Sequence, residues 1–241
     1  MNYKIINGDC VEEIKKMPDK SVDIVITSPP YNTLPVNRKN TGRLKDTKWL
    51  KKAIAGYSSY NDSKPEDEYQ EWINNVIGEC LRISKGVVWI NHKVRYRNRI
   101  GIHPLKFIKY DLFCEIIWQR SGGVAFNSRR YVPNHESIYG FGTPHFWDGV
   151  NDHLFTVWKI AQVSNNDHPC VFPIQIPERL IASSCPIGGI ILDPFCGIGT
   201  TGIAAMMSKR DFIGIEIDKK YAGISEINIK NAKDKMDGMI F

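Results

Sequence analysis

The chain has 241 residues, of which 42% are hydrophobic and 24% charged, so it can bury one core but is too short for two large domains. Its six cysteines are scattered and form no C-x-x-C pair, which argues against a zinc knuckle and against a secreted disulfide framework. The net charge of +6 favours a polyanionic partner only mildly.

Strand-like and helix-like segments alternate along the whole chain. The sequence predicts strands at 3–6, 21–27, 86–90, 112–118, 136–141, 189–192 and 212–217. It predicts helices at 11–17, 65–83, 172–184, 200–208 and 219–235, the first with Asp9 as N-cap and Pro18 as its stop. This alternation implies parallel βαβ units in a doubly wound α/β sheet. The start lacks the apolar core of a signal peptide and no run of about 18 apolar residues occurs, so we expect a cytoplasmic protein.

The turn Ser28-Pro29-Pro30-Tyr31 directly follows an apolar strand. Two prolines remove two N–H donors, so the turn presents acceptors, namely the Ser28 hydroxyl and the Pro29 carbonyl, beside the Tyr31 ring. The exocyclic amine of a nucleobase is a poor nucleophile because its lone pair is delocalised. Two acceptors aimed at its hydrogens direct that lone pair at a methyl donor. The turn therefore predicts an amine-binding site, and the alternative is an ordinary rigid strand exit.

Two polar stretches favour contact with a nucleic acid. Residues 32–64 form a basic segment in which Asp46 is the lone acid of its central part, and 119–150 is rich in Gly and Arg. Phosphates and base edges are bound by such side chains, and the predicted DNA contacts are Arg38, Lys39, Arg43, Asn127, Arg129 and Arg130. Arg95, Arg97 and Arg99 alternate and suggest a third phosphate-binding stripe. The alternative for each stretch is a solvated surface.

A glycine-rich loop lies between the last two predicted strands. Gly197, Gly199 and Gly202 satisfy G-x-G-x-x-G after a strand and before a helix, and Glu216 ends the next strand, about 20 residues on. This pattern predicts an adenosine-containing cofactor at the carboxyl ends of the strands. Asp193 would repel a pyrophosphate but can accept a hydrogen bond from the amino group of a methionine moiety. Too little chain follows Gly202 for the second half of a nicotinamide dehydrogenase.

Together, Ser-Pro-Pro-Tyr at 28–31 and Asp-Pro-Phe-Cys-Gly-Ile-Gly-Thr-Thr at 193–201 resemble the N4-cytosine and N6-adenine DNA methyltransferases of restriction–modification systems and phages. The catalytic motif precedes the cofactor motif, as in their β-type order, and weaker echoes lie at 7–9, 133–136 and 168–173. The resemblance implies a Rossmann-like methyltransferase fold with circularly permuted motifs. Its seven-stranded sheet is mostly parallel with one reversed strand, and the substrate is a base flipped out of the duplex.

By that resemblance, S-adenosylmethionine is the cofactor and no metal is needed. The cofactor residues it implies are Asp9, Cys10, Asp193, Phe195, Cys196, Gly197, Gly199, Thr200 and Glu216, and the catalytic ones are Ser28, Pro29, Pro30 and Tyr31. A single catalytic domain spans 1–241, with the basic loop at 32–64 and a target-recognition insertion at about 119–150. The partner is double-stranded DNA, in the cytoplasm of a bacterium or archaeon or encoded by a phage.

Several alternatives stay open at this point. Ser28 favours cytosine N4 over adenine N6, because Ser at this motif position is commoner in the cytosine branch. Turns of the Pro-Pro-Tyr kind also serve enzymes that methylate RNA or protein glutamine. Cys170 follows Pro169, as the nucleophile of a cytosine C5 enzyme would. A non-catalytic binding module, the presence of a cognate endonuclease, and a monomer or a homodimer also remain open.

Overall fold

The computed structural model describes residues 1–33, 62–97, 100–122, 131–148, 155–163 and 173–238. In chain order the elements are β1 (Tyr3–Asn7), α1 (Cys10–Lys15), β2 (Ile24–Thr27), α2 (Glu66–Ile83), β3 (Val88–His92), β4 (Arg95–Arg97), β5 (Ile100–Ile102), a 3-10 turn (Pro104–Lys106), β6 (Leu112–Gln119), β7 (His135–Phe141), β8 (Val157–Lys159), α3 (Gln175–Ser184), β9 (Ile190–Asp193), α4 (Thr200–Met207), β10 (Asp211–Glu216) and α5 (Lys219–Asp237).

The main sheet has the strand order β1-β10-β9-β2-β3-β7-β6-β8. All of these strands run in one direction except β7, which is antiparallel to β3 and to β6. The expected Rossmann-like fold with one reversed strand is confirmed. All seven predicted strands are present, and β8 adds an eighth that the sequence did not predict. It is only three residues long, with Trp158 alone buried, which is too short for a periodic pattern.

Helices cover both faces of the sheet because its central strands are apolar on both sides. β2 and β3 are buried at every residue, as expected of parallel strands inside a two-sided α/β layer. On one face α1 and α2 pack against the sheet; on the other lie α3, α4 and α5. Each fully buried Ile or Leu contributes about 1.5–3 kcal/mol from removal of apolar surface from water. Within the residues that the structure describes, every helix is too short or too polar to cross a membrane.

One strand boundary differs from the prediction in a way that matters for the site. The strand predicted at 86–90 extends to His92, so Asn91 and His92 lie inside β3 and are 3% and 0% exposed. Polar side chains at the end of an apolar run resemble the start of a loop in sequence. Here they stay in the sheet because β7 pairs with them, His92 opposite Ser137 and Asn91 opposite Ile138.

The carboxyl ends of the parallel strands meet along one edge of the sheet. β2 ends there at Thr27, β9 at Asp193 and β10 at Glu216. The connection from β6 to the reversed β7 also leaves from this edge, where Gln119 pairs with His135. In α/β sheets this edge is where ligands bind.

Candidate active site

The strand that carries the Ser-Pro-Pro-Tyr turn and the strand that carries the glycine loop are directly joined. β2 and β9 are neighbours, and Thr27 Oγ1 donates a 2.7 Å hydrogen bond to Asp193 Oδ1. Asp193 also accepts from the Phe195 N–H at 3.1 Å and from Thr201 Oγ1 at 2.6 Å. Ser28 and Gly197 both follow strands that end side by side, as a shared site requires, and their use in one site stays a prediction.

Asp193 is 1% exposed, and burial raises the pKa of its carboxyl to about 6, although its three hydrogen bonds act in the opposite direction. Its oxygens bind the Thr27 and Thr201 side chains and the start of the glycine loop. This geometry makes Asp193 the group that orients the loop. Direct contact with a methionine amino group stays a prediction.

The glycine loop satisfies most of its own N–H groups. Two of these N–H groups donate to carboxylates, that of Phe195 to Asp193 and that of Gly197 to Glu216 Oε2 at 2.9 Å. Two others donate to backbone carbonyls, that of Cys196 to Ile215 and that of Gly199 to Cys196. A pyrophosphate site needs such N–H groups free to point at the anion. Because four of them already donate within the protein, two of them to carboxylates, the loop is poorly suited to a dinucleotide.

Two glycines of this loop are required by its close packing. Gly199 has φ +90°, in the left-handed region, immediately before α4 begins at Thr200. A Cβ on Gly202 would lie 2.7 Å from the Phe212 ring, so a side chain there would separate α4 from the sheet. The third glycine of the motif therefore serves packing of the helix on the sheet.

Glu216 and Asp9 extend the candidate cofactor site along the edge. Asn7 pairs with Glu216 in the sheet, which places Asp9 and Cys10 beside that carboxylate. Glu216 Oε1 accepts from the Asp218 N–H at 2.9 Å, and burial raises the pKa of the Glu216 carboxyl. Asp9 caps α1 by accepting from Val11 and Glu12 N–H.

Cys10 and Cys196 are buried, each 5% exposed. Burial raises the pKa of the Cys10 thiol to about 12 and that of Cys196 well above its usual range, so both are neutral thiols near pH 7. Both are core side chains, and a contact of either residue with a cofactor stays a prediction. Nearby, the Phe195 ring meets the Trp72 ring of α2 edge-to-face at 5.7 Å, which brings α2 to the site.

In the candidate catalytic turn, the acceptors differ in whether a described residue already donates to them. Tyr69 Oη donates to the Pro30 carbonyl at 3.0 Å, which uses that acceptor. No described residue donates to the Pro29 carbonyl, although Pro29 is buried. Ser28 is half-buried, and its Oγ lies 2.9 Å from Tyr31 Oη. The turn thus presents the Ser28 hydroxyl and the Pro29 carbonyl, as the sequence predicts.

The Tyr31 hydroxyl lies in a network of polar side chains from the neighbouring strands. Asn91 Nδ2 donates to it at 2.6 Å, and it donates to Glu136 Oε2 at 3.1 Å. Asn91 Nδ2 also contacts Glu136 Oε2 at 3.1 Å. The second oxygen of Glu136 accepts from Arg120 Nη1 at 3.1 Å. Glu136 is 7% exposed, so this is a buried, paired carboxylate beside the catalytic turn.

His92 contacts the Tyr31 ring of the turn and the Tyr69 hydroxyl. Its ring lies 4.7 Å from the Tyr31 ring, and its Nε2 is 2.8 Å from Tyr69 Oη. Burial lowers the pKa of His92 to about 3, so the ring is neutral at physiological pH. Since the Tyr69 proton goes to Pro30, the neutral ring donates from Nε2, and its Nδ1 accepts from the Lys93 N–H at 2.8 Å. His92 therefore acts as a hydrogen-bonding core residue.

The expectation for Arg95 is wrong. It is 3% exposed and forms a bidentate pair with Glu66, both at 2.7 Å, with its guanidinium 4.5 Å from the Tyr69 ring centre. It is neither a phosphate contact nor a solvated residue, because the β4–β5 hairpin turns it inward against α2. Arg97 donates to the Asn32 carbonyl at 2.8 Å, and Arg99 lies outside the described residues.

The two ends of the predicted basic loop are held together. Asp62 is 4% exposed and accepts from the Asn32 N–H at 2.7 Å and from the Thr33 N–H at 3.2 Å, while Asn32 Nδ2 donates to Lys64 O at 3.0 Å. Asn32 has φ +54°, which Asn tolerates better than most residues. The predicted DNA contacts lie outside the described residues, namely Arg38, Lys39, Arg43, Asn127, Arg129 and Arg130, and so do Cys170 and the start of the helix predicted at 172–184.

Sequence reasoning did not identify the groups around the catalytic turn. Asn91, His92 and Tyr69 were absent from the predicted site, and Glu136 appeared only within a weak motif echo. The available signal was the pair of polar residues directly after the apolar run 86–90, at the carboxyl end of a parallel strand.

Comparison with known sequences decides the family. The sequence model of the DNA methylases of the N6 and N4 types matches residues 22–226. The chain belongs to the DNA methylase family. The expected resemblance and enzyme class are confirmed, and within this family the chain is a DNA amino-methyltransferase of the N4-cytosine or N6-adenine type.

Individual DNA methylases resemble the chain over most of its length. The type II methyltransferase M.BglII of Bacillus subtilis is 29% identical across 92% of this chain and 67% of its own. The structure of the cytosine-N4-specific PvuII DNA methyltransferase superposes with a TM-score of 0.71 at 17% identity, covering 98% of this chain and 93% of that one. The SAM complex of M1.HpyAVI superposes with a TM-score of 0.61 at 21% identity, covering 94% and 99%. These superpositions agree with the methyltransferase fold.

Proposed function

We propose that this protein is a site-specific DNA methyltransferase that transfers a methyl group from S-adenosylmethionine to the N4 amine of a flipped cytosine. One observation carries the proposal: the Thr27–Asp193 hydrogen bond joins an acceptor-presenting turn to a glycine loop whose N–H groups are already bonded. The first half of that arrangement suits an amine, and the second suits a cofactor without a pyrophosphate.

The residues at the carboxyl edge fit S-adenosylmethionine by their chemistry. Glu216, at the end of β10, would hold the ribose hydroxyls with its carboxylate oxygens, and Asp9 would lie near the adenine. Phe195, Gly197 and Gly199, next to the Asp193 carboxylate, would hold the methionine end. The cofactor, when bound, supplies an electrophilic methyl group on a sulfonium.

The protein's own part in the reaction is to orient the amine and exclude water. Ser28 Oγ and the Pro29 carbonyl accept the two N–H bonds of the amine, which directs the nitrogen lone pair toward the glycine loop. Tyr31 lies beside the base. Formation of the bond between the nitrogen and the methyl carbon would be balanced by cleavage of the carbon–sulfur bond, with the thioether as the leaving group. The nitrogen would then release one proton to water, because the protonated product is strongly acidic.

The two segments proposed to contact DNA both begin at the carboxyl edge of the sheet. The basic loop 32–64 begins directly after Tyr31, and the proposed recognition insertion of about 119–150 begins at the end of β6 on the same edge. We propose that both contact double-stranded DNA around the flipped base, as parts of one catalytic domain. A basic loop next to the turn would bind the phosphates flanking that base.

The identity of the base is tested by incubating the protein with unmethylated DNA and labelled S-adenosylmethionine, followed by nucleoside mass spectrometry. We expect N4-methylcytosine. N6-methyladenine would keep the family function and reassign the base. In parallel incubations with tRNA and with protein, label on tRNA or on protein glutamine, together with none on DNA, would overturn the proposal.

A further inference from the structure

We propose that Glu136 is a positioning residue that fixes the Ser28 hydroxyl as a hydrogen-bond acceptor, acting through Tyr31. The inference rests on the proposed function, since it concerns how the catalytic turn receives an amine. It assigns a role to a carboxylate on β7 and to the Tyr31 hydroxyl, whereas the proposed function places only the Tyr31 side chain beside the base.

A serine at the first motif position differs from a carboxylate or a carbonyl, which can only accept hydrogen bonds. A hydroxyl donates one hydrogen bond and accepts others, and its proton can rotate. If the Ser28 proton points at the substrate amine, donor faces donor and the amine is repelled. Something must draw that proton away so that the oxygen lone pairs face the substrate.

The hydrogen bonds among Glu136, Tyr31 and Ser28 determine where the Ser28 proton points. Glu136, paired with Arg120 at 3.1 Å, is a carboxylate that only accepts. Tyr31 has one hydroxyl proton, and a hydrogen bond to a carboxylate is stronger than one to a neutral hydroxyl, so this proton goes to Glu136 at 3.1 Å. Across the 2.9 Å contact with Tyr31, Ser28 must then donate. Its lone pairs are left for the amine.

Asn91 and Arg120 hold this arrangement in place. Asn91 Nδ2 donates both to Tyr31 Oη at 2.6 Å and to Glu136 Oε2 at 3.1 Å, so the Tyr31 oxygen already accepts and its proton is kept on the Glu136 side. Arg120 donates to the other Glu136 oxygen and to the Pro133 carbonyl at 3.1 Å. The carboxylate is thereby fixed between an arginine and the tyrosine.

The arginine makes Glu136→Gln a sharp test. The amide nitrogen of the new side chain is repelled by the Arg120 guanidinium and therefore turns toward Tyr31. It donates to Tyr31, the tyrosine proton moves to Ser28, and the Ser28 proton turns toward the substrate. We expect Glu136→Gln to lower the rate of methyl transfer in a single turnover at least about tenfold, as loss of one oriented hydrogen bond at the reacting centre does. The affinity for S-adenosylmethionine should stay within twofold.

Tyr31→Phe completes a double-mutant cycle because it keeps the ring and removes the hydroxyl. Each single variant should slow transfer, and the double variant should be no slower than Tyr31→Phe alone, because Glu136 acts only through that hydroxyl. Glu79→Gln is the matched control: Glu79 also pairs with an arginine, Arg82, but on the far part of α2, and its loss should leave transfer unchanged.

Three outcomes are distinguishable. If the wild type methylates DNA and Glu136→Gln transfers at the wild-type rate, the relay is overturned while the proposed function stands. If Glu136→Gln slows the Tyr31→Phe variant by the same factor as the wild type, Glu136 acts by another route and the relay is again overturned. If the wild type modifies no nucleobase amine, both the proposed function and the relay are overturned. Thermal unfolding of each variant separates a slow enzyme from an unfolded one.

Discussion

Thr27 Oγ1 and Asp193 Oδ1 lie 2.7 Å apart, and this buried hydrogen bond connects the two strands from which the substrate turn and the glycine loop depart. Thr27 is 1% exposed and Asp193 is 1% exposed, so neither group can exchange this bond for one to water. This bond therefore adds to the pairing of β2 and β9 and connects the start of the Ser28–Tyr31 turn to the start of the glycine loop.

Thr27→Val keeps the shape of the side chain and removes its hydroxyl. The Asp193 carboxylate then loses one of its buried donors, and we expect the free energy of unfolding to fall by about 1–3 kcal/mol. Urea denaturation followed by circular dichroism measures this. Thr27→Ser retains the hydroxyl and is the control; equal stability of Thr27→Val and the wild type would show that the bond is not needed.

Cofactor affinity should depend on pH through Asp193. Burial raises the pKa of this carboxyl to about 6, so the group is ionised at pH 7.5 and largely protonated at pH 5. The cofactor carries positive charge, so its binding favours the ionised form. We expect affinity to rise as pH increases through about 6, with up to about a tenfold change per pH unit below it. Calorimetric titration from pH 5 to 7.5 measures this. Asp193→Asn should weaken the dependence and leave only the part due to Glu216, whose carboxyl pKa is also raised by burial. A flat profile in the wild type contradicts the prediction.

Ser28→Ala removes one of the two acceptors offered to the amine. We expect kcat to fall by about a hundredfold, as for loss of a single oriented hydrogen-bonding group at a reacting centre. The Kd for S-adenosylmethionine should not change, because Ser28 follows β2 and not the strands that carry the glycine loop. Rapid-quench measurement of methyl transfer tests the change in rate, and calorimetry tests the Kd for S-adenosylmethionine. Wild-type turnover in Ser28→Ala would show that Ser28 has no part in the mechanism.

Substitution of Arg95 should affect folding stability, whereas substitution in the predicted basic loop should affect DNA binding. Arg95→Met removes both hydrogen bonds to Glu66, whose side chain is 30% exposed, so we expect the free energy of unfolding to fall by about 1–3 kcal/mol, with no change in the salt dependence of DNA binding. Arg38→Ala should do the reverse, with a normal unfolding midpoint and a logarithmic salt slope smaller by about one. A reduced salt slope in Arg95→Met would restore Arg95 as a phosphate contact.

Cys170→Ser separates amine methylation from carbon methylation. An amino-methyltransferase needs no cysteine nucleophile, so transfer should persist within about twofold. Denaturing gel electrophoresis with DNA containing 5-fluorocytosine measures covalent trapping. A stable adduct in the wild type that disappears in Cys170→Ser would support a C5 enzyme instead.

The fold and the two motifs were readable in the sequence because they depend on local patterns. Apolar runs predict the strands, and the Ser28–Tyr31 turn and the loop 193–202 each lie within a few consecutive residues. The network around Tyr31 was not readable in the sequence. Asn91 lies on β3, Glu136 on β7 and Arg120 directly after β6, so they meet only through the pairing of these three strands.

Arg95 was predicted wrongly because its partner is also distant in the sequence. A sequence displays its charge but not Glu66, its partner from a different element, so an alternating arginine pattern looked like a surface. The strand β8 escaped prediction for a simpler reason, since three residues are too few to display a period. What was missed in each case is a long-range pairing or a very short element.

The hydrogen bonds between Asn32, Thr33 and Asp62 anchor both ends of the segment 34–61 at a fixed place beside Tyr31. A change of length or composition between these anchors need not shift the tyrosine or the acceptors of the turn. The segment that we propose to contact DNA phosphates can therefore differ in sequence or length while the turn keeps its place. Asn32 and Asp62 mark the two ends between which such changes are tolerated.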